Sequence, residues 1–546
     1  MINEIFQDIS KTIRGLSIDA INKANSGHPG LPLGCAELGA LLYGKHLRQN
    51  PSDPSWINRD HFVLSAGHGS MLQYACLHLA GYDISLDDIK NFRQLHSPTA
   101  GHPELDLQRG IETTTGPLGQ GIGHAVGMAL SQKIMASKFN TPDCCLFDNK
   151  VFVLAGDGCM MEGISSEACS FAGHLQLDNL ILIYDSNDIC LDGPTDECFT
   201  ENTALRFQSY GWEVHTVDGH DLEAVDAILT QSRQATSPVL IELKTTIGFG
   251  SPNRQGTSES HGKALGEEEG KLTKEALGIP ADPLFFVSEN VTSYFKDYQK
   301  TQLTLQETWT DTFKEWKETN PDLFQTLTRL QDHDLSSTFM ERLLHLDIKP
   351  HVASRASSNA ILQLLHDELP YIIGGSADLS CSDSTFMKQS GIISKNDFTQ
   401  RNIKYGVREF AMSAISAGLC LSGVFRPYCG TFFTFSDYMK NGIRLAAYMK
   451  LPVIYQFTHD SLFLGEDGPT HQPVETTSAL RLIPNLDVIR PGDPEETAAA
   501  FVAAAQRTDG PTGLILTRQG VPNLNEIPVA ERRAGVLRGG YVARRE

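Results

Sequence analysis

The sequence has no CxxC pair, no basic excess, no long apolar run, no internal repeat and no low-complexity tract. Each absence removes a class of function. The 11 cysteines are scattered, apart from the adjacent Cys144 and Cys145. That pattern argues against a zinc site or a disulfide framework, and for reduced thiols in a cytoplasmic enzyme. Acidic residues number 66 against 45 basic ones, a formal net charge of -21, which speaks against nucleic acid or an anionic membrane as partner. Small anionic substrates stay open, because exposed charges are screened within about 10 Å and a few cations in a cleft outweigh a distant acidic surface. No apolar stretch approaches the ~20 residues of a membrane span. The first residues, Met1 to Arg14, are polar and mixed in charge, without the apolar core of a signal peptide.

What is present is a chain of 546 residues, 40% apolar and 20% charged. This suits a soluble protein of about two to four domains. Short β-branched runs alternate with helical stretches. Val151–Leu154, Leu180–Tyr184, Val239–Leu243, Tyr371–Ile373, Val453–Phe457 and Leu514–Leu516 predict buried parallel strands. Several run directly into polar tips: Gly156-Asp157, Asp185-Ser186-Asn187, Ser376-Ala377-Asp378 and Thr458-His459-Asp460. Open α/β sheets bind ligands at the carboxyl ends of their strands, so a site is sought there. From Glu267 to Leu346 the pattern changes. Trp309, Phe313 and Trp316 recur at helical spacing, as do Phe324, Leu327 and Leu330, which predicts two or three amphipathic linker helices with these side chains as packing.

Gly156-Asp157-Gly158 combines a sharp backbone turn with a hard oxygen ligand, and Asn187 follows at the next strand tip. Asp157, Asn187 and the Ile189 carbonyl would offer three oxygens to Mg²⁺, with a diphosphate and water completing an octahedron; Ca²⁺ or Mn²⁺ are alternatives.

The run GDGCMMEG followed by YDSN resembles the thiamine diphosphate signature. SGHPG at Ser26–Gly30, SAGHGS at Ser65–Ser70, GHPE at Gly101–Glu104 and GPLGQG at Gly116–Gly121 resemble transketolases specifically, as do GVREFAM, GTFFTFSDY and GEDGPTHQP later on. The resemblance covers nearly the whole chain. It implies an α/β fold with two thiamine-diphosphate-binding-type domains, parallel sheets flanked by helices and a helical linker. The implied boundaries are 1–266 for the diphosphate and metal domain, 267–346 for the linker and 347–525 for the pyrimidine domain. Residues 526–546 would then open a further domain of which most is missing, with Gly539–Arg544 as its first strand.

The resemblance also assigns residues. His68, His261, Gly116, Leu118, Gly158, Glu162, Asp185, Asn187 and Asp378 are implied in cofactor binding, and Glu162 and Glu167 in linking two cofactor sites. Glu409 matches the glutamate that bonds the pyrimidine ring nitrogen, and Phe432, Phe435 and Tyr438 match the aromatics stacked on that ring. Some members carry His where Phe410 stands. His28, His102, His261 and His471 are implied in substrate binding and catalysis, and Asp467 in reading the donor's hydroxyl stereochemistry. Arg355, Ser382, His459 and Arg518 match a terminal-phosphate cluster, for which the arginine fork is suited. Where many members have Thr-Pro-Ser, this chain has Ser380-Cys381-Ser382, so a loop stiffened by proline elsewhere is freer here.

The implied activity is reversible transfer of a two-carbon ketol group from a ketose phosphate, such as xylulose 5-phosphate, to an aldose phosphate through a cofactor carbanion. The implied assembly is a cytoplasmic homodimer with active sites at the subunit interface. Alternatives are deoxyxylulose-phosphate synthase, dihydroxyacetone synthase, or an impaired thiamine-binding relative. His28, His102 and His459 with GEDGPTHQP favour transketolase.

Overall fold

Residues 2–333 and 335–544 are described in a computed structural model; Met1, Asp334, Arg545 and Glu546, which fall within the expected ranges above, lie outside the described residues. The chain divides into two units. One gathers the chain up to Gln132 with Asn140–Thr319; the other gathers Lys133–Phe139 with the chain from Asn320 onward.

The first unit is built on five strands: β1 (His61–Leu64), β2 (Val151–Gly156), β3 (Leu180–Ser186), β4 (Glu213–Asp218) and β5 (Val239–Lys244). They pair in the order β1-β2-β3-β5-β4, every pair parallel. Strand β3 is buried along its whole length, as its unbroken apolar run LILIY requires in a sheet covered on both faces. The register sets Gly156 opposite Asp185, so the polar tips of β2 and β3 emerge together.

The second unit carries six strands: β6 (Ile372–Ser376), β7 (Asn402–Lys404), β8 (Arg426–Phe432), β9 (Ile454–Thr458), β10 (Asp487–Ile489) and β11 (Thr512–Ile515). Their order is β10-β11-β9-β8-β6-β7, again all parallel. All six predicted strands are present, five of them reaching one or more residues further into the polar tips. This is the expected fold: two α/β domains with parallel sheets flanked by helices.

Between the two sheets in sequence, the described residues form four helices rather than two or three: Glu267–Leu277, Glu289–Thr319, Pro321–Gln331 and Ser337–Leu344. The units divide where Pro321 restarts the helix at its first position, a place that does not need its missing N–H. Trp309, Phe313 and Trp316 stack along one helix face with ring centroids 5.3 and 5.9 Å apart, and Trp316 is buried, so they are packing residues. Among the described residues no helix is long and apolar enough to cross a membrane.

The tail corrects an expectation. Gly539–Arg544 is not a strand opening another domain. The chain forms the helix Val529–Leu537 and then folds back on the second unit. Arg532 makes a buried ion pair with Asp493, and the Tyr541 hydroxyl donates to Glu496 Oε1 at 2.5 Å. The tyrosine ring packs so closely on Gly535 that an added Cβ would lie 2.2 Å from it. These contacts dock the tail on the second unit, where a strand would have needed a partner for its edge.

Candidate active site

Strand β2 passes straight into the short helix Asp157–Met161, so Asp157 sits at the junction with the first turn's N–H groups, which have no intrahelical acceptor. Beside it, β3 ends at Ser186 and Asn187 follows. A cavity of about 380 Å³ opens over these tips, lined by His28, Leu31, His68, Gly116, Leu118, Asp157, Gly158, Asp185, Asn187, Ile189 and His261 among others. Gly116 has a φ of 131°, a conformation that side chains rarely adopt, and packs against the His102 ring.

Asp157 is the group most in need of a partner. Its Oδ1 accepts from the Tyr184 hydroxyl at 2.5 Å, while its buried Oδ2 has no hydrogen-bond partner. The Asn187 N–H faces the same carboxyl. Burial, with Asp185 and Asp188 nearby, pushes its pKa up to about 7. Asn187 is held in one orientation: Nδ2 donates to Asp185 Oδ2 at 2.9 Å and Oδ1 accepts from the Ile189 N–H at 3.1 Å. Asp185 is anchored in turn by the Thr245 hydroxyl. Among the described residues no group of three or more His, Cys, Asp and Glu is arranged to hold a metal. An orphaned carboxylate oxygen, an oriented amide and a backbone carbonyl are nonetheless the oxygen donors a hard divalent cation takes, so the residues fit one.

Three histidines, His28, His68 and His261, line the cavity, and His102 lies beside them. The His68 and His261 rings stack at 5.0 Å, and His28 lies 5.2 Å from His68, 6.0 Å from His261 and 6.1 Å from His102. Burial lowers all four pKa values, and for His28 neighbouring Arg93, His261 and His102 add to it, bringing it to about 4. At neutral pH the cluster is uncharged, able both to donate and to accept.

The second unit collects most of the other predicted residues at its strand tips. His459 follows β9 with a φ of 61° and lies on Phe432, ring centroids 3.6 Å apart. Phe435 and Tyr438 continue the stack at 6.0 and 6.2 Å, and the His471 ring meets Phe435 edge-on at 5.1 Å. Arg355 donates to the Ser382 carbonyl at 2.5 Å and to His459 Nε2 at 3.3 Å. With Nε2 accepting, Nδ1 carries the proton and faces the Thr458 hydroxyl at 2.9 Å. Burial, followed by Arg355, Arg518 and His471, brings the His459 pKa to about 3. Arg518 pairs with Glu466. Glu409 begins the helix Glu409–Leu421, half-buried, and burial raises its carboxyl. Asp467 and Asp378 are exposed, Asp378 with a φ of 64° just past β6. Glu162 is exposed at the start of the helix Gly163–Leu175 and is not among the residues lining the cavity.

The loop that lacks proline is tied down by other means. Ser382 and Asp383 N–H groups both reach the Leu379 carbonyl at 2.8 Å, and the buried Asp383 carboxyl takes the Ser376 and Thr385 hydroxyls.

Tyr184 and Arg93 were not singled out from the sequence. Arg93 donates to Ser26 Oγ at 2.9 Å, to His28 Nδ1 at 3.2 Å and to the Gly101 carbonyl at 3.4 Å, which joins two of the histidine blocks. Its left-handed backbone, φ 61°, belongs to a loop with no pattern to mark it. Tyr184 stood in view as part of YDSN, but read as strand filler.

The chain is similar to known proteins along its length. Residues 5–336 match the transketolase thiamine diphosphate binding domain, and residues 351–523 the transketolase pyrimidine binding domain. A transketolase from Physarum polycephalum is 51% identical over 536 residues, 98% of this chain and 81% of that protein. One from Bacillus subtilis is 49% identical over 97% of this chain and 80% of its own. Among solved structures, a Pichia stipitis transketolase in complex with sedoheptulose 7-phosphate superposes with a TM-score of 0.93 at 42% identity, covering 97% of this chain and 80% of that one. A Leishmania mexicana transketolase gives 0.94 at 39% identity, covering 97% and 79%. The expectation of a transketolase cut off in the opening strand of a further domain is corrected: the thiamine diphosphate and pyrimidine binding domains are both matched, and the tail is docked on the second unit. The chain belongs to the transketolase family, enzymes that transfer a two-carbon ketol group reversibly with thiamine diphosphate.

Proposed function

We propose that the chain transfers a ketol group between phosphorylated sugars, with a ketose phosphate such as xylulose 5-phosphate as donor and an aldose phosphate as acceptor. The observation that carries this is a cavity at the β2 and β3 tips that joins an orphaned buried carboxylate to a cluster of neutral imidazoles. Solved Pichia stipitis relatives hold sedoheptulose 7-phosphate, xylulose 5-phosphate and fructose 6-phosphate, which supports sugar phosphates here.

Asp157 Oδ2, Asn187 Oδ1 and the Ile189 carbonyl would hold Mg²⁺, with Ca²⁺ or Mn²⁺ as substitutes. His68, His261 and the Gly158 N–H would bind the diphosphate. Gly116, Leu118, Glu162, Asp185 and Asp378 complete the cofactor set by family resemblance. Phe432, Phe435 and Tyr438 would flank the pyrimidine, and Glu409 would bond its ring nitrogen; the raised carboxyl of Glu409 favours a proton shared at that bond. When bound, thiamine diphosphate supplies the nucleophile and electron sink for breaking a carbon–carbon bond.

The chain's own residues orient the sugar and move protons. Neutral His28, His102 and His261 can donate to a hydroxyl or take its proton without first losing a charge. His471 would serve the carbonyl region, and Asp467 the donor hydroxyls. Arg355 and Arg518, with Ser382 and neutral His459, would grip the terminal phosphate. We assign the domains as 1–266, 267–346 and 347–525. We further propose a cytoplasmic homodimer in which each subunit supplies one half of a site.

A coupled sugar-phosphate assay, run beside calorimetric titration with thiamine diphosphate and Mg²⁺, tests the reading. Cofactor binding with turnover of xylulose 5-phosphate is expected. Binding without turnover, or pyruvate decarboxylation in its place, would refute it.

A further inference from the structure

Arg93 reaches the histidine cluster from a loop that holds it in place. Its backbone is left-handed, φ 61°, a conformation unfavourable for a side chain, and its N–H donates to the Thr99 carbonyl at 2.9 Å. The guanidinium donates to Ser26 Oγ at 2.9 Å, to His28 Nδ1 at 3.2 Å and to the Gly101 carbonyl at 3.4 Å. Gly101 leaves it room, since a Cβ there would stand 3.0 Å from Nε. Among the described residues no carboxylate pairs with Arg93, so nothing offsets its charge beside the ring. The contact to His28 has one possible direction. A guanidinium carries donors and no acceptor, so Nδ1 receives, and the neutral ring then holds its hydrogen on Nε2. His28 lines the cofactor cavity, and among the described residues no hydrogen bond is made to its Nε2. That nitrogen lies on the edge toward Gly262, where a Cβ would be 3.5 Å from it.

We infer that Arg93 is a positioning residue that fixes His28 in its Nε2–H tautomer and so presents a hydrogen-bond donor to the sugar. The inference deepens the proposed ketol transfer and rests on it, since it takes His28 to face the sugar. A neutral imidazole exchanges between two tautomers, and the wrong one offers a lone pair where a hydrogen is needed. The other rings of the cluster do not decide between them. His68, His261 and His102 lie 5.2, 6.0 and 6.1 Å from His28, as ring contacts. Arg93 decides because its proton cannot be shed and its N–H already occupies the Nδ1 lone pair. Its bonds to Ser26 and Gly101 hold the guanidinium on both sides, so the ring is set before a sugar arrives. A donor aimed in advance needs no reorganisation when charge develops on a sugar oxygen.

Arg93→Met keeps the length of the side chain and removes every donor. Turnover of xylulose 5-phosphate with an aldose phosphate acceptor is measured at saturating thiamine diphosphate and Mg²⁺, for the native full-length chain, Arg93→Met, His28→Ala and the double variant. In Arg93→Met, kcat is expected to fall about tenfold to a hundredfold, with KM for the donor within about threefold of native. In the His28→Ala background the same change is expected to cost nothing further, because it acts through a ring that is gone. A merely structural arginine would lose as much in both backgrounds, and that result overturns the inference while leaving the proposed function standing. A raised KM with unchanged kcat marks an arginine that binds the sugar itself, and overturns it too. Native turnover in His28→Ala removes His28 from the sugar, and an inactive native chain refutes the proposed function; either takes the inference with it. If Arg93→Met does not fold, neutron diffraction from deuterium-exchanged crystals of the native holoenzyme decides. Deuterium on Nε2 of His28 alone is expected, and deuterium on Nδ1 refutes the inference.

Discussion

Ser354 and Thr517 hold each other by two reciprocal hydrogen bonds, the Ser354 N–H to Thr517 Oγ1 at 3.0 Å and the Thr517 N–H to Ser354 Oγ at 2.7 Å. Each is followed by an arginine of the proposed phosphate cluster, and burial, followed by nearby Arg518, lowers the pKa of Arg355. The lock sets the two arginines side by side, Arg518 paired with Glu466 and Arg355 bonded to the Ser382 carbonyl. Arg355→Ala should cost about 1.5–3 kcal/mol, the worth of a hydrogen bond to a charged group, and so raise KM for a ketose phosphate about tenfold to a hundredfold. Ser354→Ala, which touches no phosphate, should raise it by a smaller factor. A non-phosphorylated ketol donor, assayed alongside, should respond to neither change.

The histidine cluster sets a pH dependence whose sign follows from lowered pKa values. His28 titrates near 4 and His459 near 3 in the folded chain, against about 6.5 unfolded. The unfolded chain binds more protons between those limits. Their contribution to stability is therefore full above about pH 6.5 and is lost as pH falls toward 4 and then 3. Melting curves of the cofactor-free protein from pH 7 down to 4 should show Tm falling. His28→Gln should fall less steeply over the same window.

Asp157→Ala should separate folding from cofactor binding. Thiamine diphosphate with Mg²⁺ at about 100 times Kd stabilises a protein by about 2.7 kcal/mol. The native chain should gain several degrees in Tm under those conditions. Asp157→Ala should gain little, and its melting without cofactor should remain a single transition.

Glu409→Gln keeps the size and the hydrogen-bonding reach of the side chain but cannot share a proton at the ring nitrogen. Turnover should drop by about 10²–10⁴-fold, the range of a lost acid–base contribution. The circular dichroism spectrum and Tm should be unchanged, since Glu409 is only half-buried at a helix start.

Gly374 and Gly375 lie where β6 is pressed between β7 and β8. A Cβ on Gly375 would be 1.8 Å from the Ile403 carbonyl oxygen, and one on Gly374 would be 1.9 Å from that of Tyr428. Gly375→Ala should destabilise the second unit by about 3 kcal/mol or more, because backbone rather than a movable side chain must yield. Urea unfolding should show an earlier transition.

Much of the fold was legible in the sequence because buried parallel strands are unbroken apolar runs, as in LILIY of β3. The strands that escaped notice lack that mark. In β8, a buried Arg426 and Pro427 open the strand, and pairing with β9 starts only at Tyr428, so the missing proline N–H breaks no bond there. In β4, the sequence EVHTVD alternates at a partly exposed sheet edge. The candidate site residues stood out where a motif framed them with glycine. Arg93 and Tyr184 did not, since their parts depend on contacts to Ser26, His28 and Asp157 that spacing along the chain does not show. The tail was misread for a related reason. Its sequence suited a strand, and only the buried Arg532–Asp493 pair reveals a helix that docks.

That pair has a consequence for cooperativity. Asp493 caps the helix Pro494–Gln506 by accepting the Glu496 N–H at 2.9 Å through Oδ1, and its other oxygen takes Arg532 and the Leu524 N–H. One carboxylate thus fastens the start of one helix and the approach to another. Peeling the last segment away strands a buried charge and loosens the capped helix in the same event. Amide exchange in Pro494–Gln506 and in Val529–Leu537 should then report one opening reaction with one free energy, a single foldon made of two pieces of chain.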